Sequence, residues 1–74
     1  MNLGMQIKLK RVQAGMNQSQ LAKILGTSQL IVSLWERGRH QPQEKYLKKL
    51  NAVLNLDPLA MYSYKQLKFR GRRS

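Results

Sequence analysis

The chain has 74 residues, carries 14 Lys and Arg against 3 Asp and Glu for a formal net charge of +11 at pH 7, and holds no cysteine. That length allows one domain with one small core, since a chain near this size buries only about 60% of its unfolded surface. The composition excludes a disulfide framework and a thiolate metal site, and no apolar run approaches the roughly 18 to 20 residues that span a bilayer. The N-terminus lacks the long apolar stretch of a secretory signal. A small, soluble, cytoplasmic and strongly basic domain is expected. Glu36, Glu44 and Asp57 are the only carboxylates, and His40 is the only imidazole. Acid–base catalysis needs titratable groups converging on one pocket, and a metal site needs about three or four His, Cys, Asp or Glu ligands. His40 lies between Arg39 and Gln41, the setting of a solvated loop histidine, and the glycines form no phosphate-cradling loop. No enzyme, cofactor, metal or small-molecule ligand is expected.

Glycine supplies the punctuation. Gly15, Gly26 and Gly38 each follow a segment of helical composition, where glycine accepts the positive φ that closes a helix. The first segment, about Leu3 to Ala14, sets Leu3, Ile7 and Ala14 near one face, with Leu9 and Val12 off that stripe. Asn17 follows as an N-cap, with Gln20 placed to complete a capping box. Leu21, Ile24 and Leu25 give a short second helix its buried stripe, and Ala22 is small enough for close helix approach. Gly26 ends it. Thr27 and Ser28 offer another cap, opening a third segment from Gln29 to about Arg37, in which Val32 and Trp35 share an inward face. Two short helices joined by Gly26-Thr27-Ser28 have the local form of a helix-turn-helix, a form that any αα-hairpin of a small bundle shares.

A polar stretch from Arg37 to Gln43, with Pro42 inside it, leads to the cleanest amphipathic segment. There Tyr46, Leu47, Leu50, Val53 and Leu54 form the apolar stripe, Lys45, Lys48, Lys49 and Asn51 lie outside it, and Asn55 is the stop. Asp57-Pro58 has the form of an N-cap followed by proline at the first helical position, opening a fifth helix to about Tyr62 with Leu59 and Met61. The expectation is an all-α domain of five helices over residues 1–62, with no strand. Residues 63–74 form a basic C-terminal tail with Lys65, Lys68, Arg70, Arg72 and Arg73 and no acid. Three forms stay open for it: an extension of helix five, a strand paired across a dimer, or an arm disordered until it meets phosphate.

The run from Lys10 to Gln29, with Gln18, Leu21-Ala22 and Gly26, resembles the XRE-type helix-turn-helix family of lambdoid phage repressors and Cro proteins. Trp35-Glu36-Arg37-Gly38 resembles the ending of the same motif, and Leu54-Asn55-Leu56-Asp57-Pro58 resembles its junction between helices four and five. The resemblance covers about residues 3–62. It implies a five-helix lambda-repressor-like domain whose second motif helix enters the major groove. It implies that Gln29 opens the recognition helix, where glutamine bonds adenine bidentately, and that Leu30, Ser33 and Leu34 face the bases with it. By the same resemblance Gln18, Asn17, Ser28, Arg39, Gln43 and Arg37 meet phosphate, and Gln18 and Gln29 support each other. Arg11 and Glu36 match a structural ion pair, which fixes geometry more than it stabilises.

Leucine at positions 30 and 34 departs from the polar residues many relatives carry. Three accounts stay open: the leucines read thymine methyls, the apolar strip meets a protein, or the helix is rotated so that Ile31 or Leu34 is core. The expected function is a sequence-specific transcriptional regulator of phage or mobile-element type. It is expected to be a homodimeric repressor on a palindromic operator, associating through Leu56, Pro58 and Tyr62. The alternative is an antitoxin that binds a toxin partner and autoregulates its operon. A non-specific cationic nucleic-acid binder is the third reading, which the charge alone supports.

Overall fold

Three helices in succession begin on a side-chain cap and end on a glycine. The computed structural model describes residues 2–56 and folds them into α1 (Leu3–Gln13), α2 (Gln18–Leu25), α3 (Gln29–Glu36) and α4 (Glu44–Leu54), with no strand among the described residues. At the starts of α1, α2 and α3, Asn2, Asn17 and Ser28 accept from the N–H groups of Met5, Gln20 and Ile31, at 2.9, 2.8 and 3.3 Å. Each cap satisfies a donor that has no helical partner. The expected fifth helix, Pro58 and Tyr62, and the basic tail lie outside the described residues.

Gly26 shows how the short turn is made. At φ +77° its N–H donates to Lys23 O (3.3 Å) and the N–H of Thr27 to Ala22 O (2.9 Å), so the chain reverses as soon as α2 ends. A side chain at that φ would strain the turn, and glycine avoids the strain. The same pair of bonds closes α1 at Gly15 and α3 at Gly38. Asn55 ends α4 in the left-handed region at φ 55°, and the Asn51 side chain accepts from Leu56 N–H at 3.1 Å.

The core is Leu3 and Ile7 from α1, Leu21, Ala22 and Leu25 from α2, Val32 and Trp35 from α3, and Leu47, Leu50 and Leu54 from α4, joined by Leu56. α3 packs on both α1 and α2, and α4 closes the other side of that pair. The approach of α1 to α3 runs through Gly4, which is buried with the backbone carbonyls of Trp35 and Glu36 directly over its Cα. Pro42 is fully buried and pins the loop after α3, while the rings of Trp35 and Tyr46 meet at 5.5 Å between centroids.

Several positions differ from the helical stripes expected. Ile24 is exposed, because Leu21, Ala22 and Leu25 fill the inward arc of α2 and a step of about 100° per residue carries Ile24 beyond it. Val53 lies outside the arc of Leu47, Leu50 and Leu54 for the same reason. Ala14 is exposed because α1 stops at Gln13. Leu56, expected at a dimer surface, is a buried core residue. Among the described residues, no helix is long and apolar enough to cross a membrane.

Candidate nucleic-acid interface

Among the described residues, the buried Arg11–Glu36 ion pair and a contact between Ser19 and Gln29 belong to a single line of hydrogen bonds running from the core to the start of α3. At the buried end, Arg11 donates to Glu36 through both Nε (2.6 Å to Oε2) and Nη2 (3.1 Å to Oε1), and its Nη1 donates to Met16 O at 2.7 Å. This fork ties α1, the loop after it and the end of α3 into one piece. Gln18, the first residue of α2, donates from Nε2 to Glu36 Oε1 at 3.1 Å. Its Oε1 faces Nε2 of Gln29, the first residue of α3, at a long 3.5 Å. Ser19 closes the line by donating from Oγ to Gln29 Oε1 at 2.9 Å.

The capping box reinforces this platform. Asn17 Oδ1 accepts from Gln20 N–H and Gln20 Oε1 accepts from Asn17 N–H, each at 2.8 Å. The Asn17 N–H is therefore taken, and a phosphate role for this residue is left to its side-chain amide. Ser28 Oγ accepts from Ile31 N–H and keeps its own proton to donate. A helix start leaves its first N–H groups without helical partners, and neither α2 nor α3 has an acid in its first turn to offset the positive dipole end.

The outer residues of α3 are graded. Leu30 is 63% exposed, next to exposed Gln29, while Ser33 and Leu34 are half-buried and Ile31 packs partly against the core. Leu30 is therefore the apolar side chain that α3 presents most openly. Arg37, Arg39, His40 and Gln43 are all exposed around the loop that Pro42 anchors. Lys45 lies over the Tyr46 ring at 5.0 Å. Among the described residues, the carboxylates are Glu36, paired inward with Arg11, and Glu44 in the first turn of α4. The exposed ends of α2 and α3 thus face solvent with donors and cations.

A helix-turn-helix family model matches residues 7–60. The chain belongs to the helix-turn-helix family. In that motif α2 is the first helix, Gly26 to Ser28 the turn, and α3 the second helix. The chain is similar to the ImmF control region 10 kDa protein of Bacillus phage phi105, 40% identical over 55 residues that cover 74% of this chain and 61% of that protein. This chain thus spans less than two thirds of that relative's length. Its fold is similar to the crystal structure of the P22 c2 repressor in complex with synthetic operator 9T, with a TM-score of 0.73 and 29% identity over 78% of this chain and 88% of the other. It is also similar to the solution structure of the P22 c2 repressor DNA-binding domain, with a TM-score of 0.71 and 29% identity over 78% and 76% of the two chains.

Beside the caps Asn17 and Ser28 and the core residue Leu56, the residues singled out from the sequence that lie among the described residues fall into three groups. Arg11, Glu36, Gln18 and Gln29 are joined in the line of bonds described above. Leu30, Arg37, Arg39 and Gln43 are exposed on α3 and the loop after it. Ser33 and Leu34 are only partly accessible. Sequence reasoning missed Ser19, Gly4 and Met16. Ser19 carried no local signal, because its partner is ten residues away and meets it only once the turn has set the angle between α2 and α3.

Proposed function

We propose that this chain is a sequence-specific DNA-binding transcriptional regulator of phage type, a dimeric repressor that occupies a palindromic operator and excludes polymerase from it. The observation that carries the reading is the placement of Gln29. It opens α3 at an exposed position and is tied through Gln18 to the buried Arg11–Glu36 pair, so that a glutamine amide stands at the surface on a rigid two-helix base. A glutamine held in that way suits adenine, whose N7 and N6–H2 form the acceptor and donor that a carboxamide complements. The P22 c2 repressor, solved with a synthetic operator, has the same fold over most of this chain.

In this reading Gln29 and Leu30 meet base edges, with Ser33 and Leu34 at the margin of the contact. Gln18, Ser28, Arg39, Gln43 and Arg37 hold the flanking phosphates, with the Asn17 side-chain amide beside them. Since Leu56 is committed to the core, association of two copies is assigned to Pro58 and Tyr62. The net charge of +11 supplies a sequence-independent attraction on which base reading adds selectivity.

The test is selection of bound duplexes from a randomised library by the full chain, with the mass of the resulting complex measured alongside. The expected outcome is a palindromic consensus with half-sites about one helical turn apart, bound by two chains. Failure to enrich any sequence would reduce the protein to a generic cationic binder. Isolation from cells as a stable complex with an unrelated small protein would move it to the antitoxin reading.

A further inference from the structure

The line of bonds that reaches Gln29 has a direction. A carboxylate only accepts hydrogen bonds, so Glu36 Oε1 draws the NH2 group of Gln18 and leaves Gln18 Oε1 pointing onward as an acceptor. An acceptor there requires the NH2 group of Gln29 opposite it, which turns Gln29 Oε1 toward Ser19. The Ser19 hydroxyl donates to that oxygen at 2.9 Å, the shorter of the two ties on Gln29. The terminal torsion of a glutamine is otherwise broad and nearly two-fold, so that oxygen and nitrogen readily change places.

We propose that Ser19 is a positioning residue that sets the base preference of Gln29 by holding its carboxamide in one orientation. The proposal rests on the reading of Gln29 as a base reader. Each half of the held amide keeps unused capacity: a second lone pair on Oε1 and a second proton on Nε2. That ordered acceptor and donor match the N6–H2 and N7 of adenine. Guanine presents O6 and N7, both acceptors, so either orientation of the amide satisfies one of them and opposes the other with its oxygen, whereas the held orientation satisfies both atoms of adenine and the flipped one neither. Ser19 thereby sharpens adenine over guanine without touching the base.

The experiment uses the full chain as wild type, S19A, S19T, Q29A and the double variant S19A/Q29A. The probes are the duplex enriched from a randomised library, its variants at the base pair whose preference Q29A relaxes, and a shuffled duplex. S19A is expected to lower the adenine-over-guanine preference about three- to tenfold, the range that one neutral hydrogen bond supplies. Affinity for the shuffled duplex is expected to stay unchanged, S19T to restore the preference, and S19A to add nothing in the Q29A background. The proposal is overturned if S19A keeps the full preference, if S19A weakens all duplexes alike as loss of a phosphate contact would, or if its effect persists without Gln29. If Q29A relaxes no base pair, the reading of Gln29 fails first and the role of Ser19 falls with it.

Discussion

Gln18 donates to Glu36 at 3.1 Å, so the residue that opens α2 is fastened to the residue that closes α3, across the motif and not along it. Glu36 Oε1 receives Arg11 Nη2 at the same distance, and Arg11 in turn grips the loop after α1. Arg11 from α1 and Gln18 from α2 thus converge on one buried carboxylate at the end of α3. The arrangement holds the start of α2 in place relative to α3, where packing of apolar side chains alone would leave freedom to slide.

Removing that carboxylate leaves a buried guanidinium without its counter-charge. Glu36→Ala is expected to cost about 3–5 kcal/mol in urea unfolding. Replacing Arg11 and Glu36 together by apolar residues of similar volume is expected to cost less than Glu36→Ala alone, since no charge is then stranded. A loss in Glu36→Ala under about 1 kcal/mol would place the pair with solvent-exposed ion pairs.

Gly4 is a second point at which α1 depends on α3. Alanine favours a helix interior over glycine by about 1 kcal/mol. Here, however, a Cβ would overlap Trp35 O and come within 2.9 Å of Glu36 O, both backbone atoms that cannot swing aside. Gly4→Ala is therefore expected to destabilise by about 1–3 kcal/mol, the usual cost of overpacking. A rise in thermal midpoint for this variant would show that α1 has room to move off α3.

The capping box at α2 supports the helix start that carries Gln18 and Ser19. Asn17→Ala is expected to cost about 1 kcal/mol by denaturant unfolding. Since Asn17 and Gln20 bond each other's backbone, the Asn17→Ala/Gln20→Ala double variant is expected to lose less than the sum of the two single losses. Strict additivity would mean that the two caps act independently.

What the sequence disclosed was what is local. Asn17, Ser28 and the glycines after α1, α2 and α3 act within a few residues of themselves, so their types announce their roles. The direction in which a stripe faces depends on the partner helix, which is why Ile24 and Val53 were expected inside and lie outside, and why Leu56 was expected at a surface and lies in the core. Gly4 looked like an isolated glycine because the carbonyls above it come from the end of α3. The Arg11–Glu36 pairing was expected only through the family resemblance, since nothing in the spacing of residues 25 apart joins them. Across the turn, the tie between Gln18 and Gln29 was likewise expected only through the resemblance, and the contact of Ser19 with Gln29 had no sequence signal at all.

Phosphate contacts are separable from base contacts by salt. Arg39 is exposed beside the end of α3, where the proposed backbone track runs. Arg39→Ala is expected to weaken binding to all duplexes alike and to reduce the slope of log affinity against log salt by about 1. An unchanged slope would place Arg39 off the phosphate track and pass the role to Arg37.

Leu30 raises the question of what a largely exposed leucine does beside Gln29, the proposed base reader. Water is a poor neighbour for an isobutyl group, and in the major groove the apolar surface available is the 5-methyl of thymine. Replacing thymine by deoxyuridine at the base pair next to the one whose preference Q29A relaxes deletes that methyl while preserving every hydrogen bond. Burial of a methyl-sized group is worth about 0.8 kcal/mol, so wild type is expected to lose about fourfold in affinity on this substitution, and Leu30→Ala to lose almost nothing. Equal binding of the two duplexes by wild type would show that Leu30 reads no methyl there, and its exposed side chain would then be free to meet a protein surface.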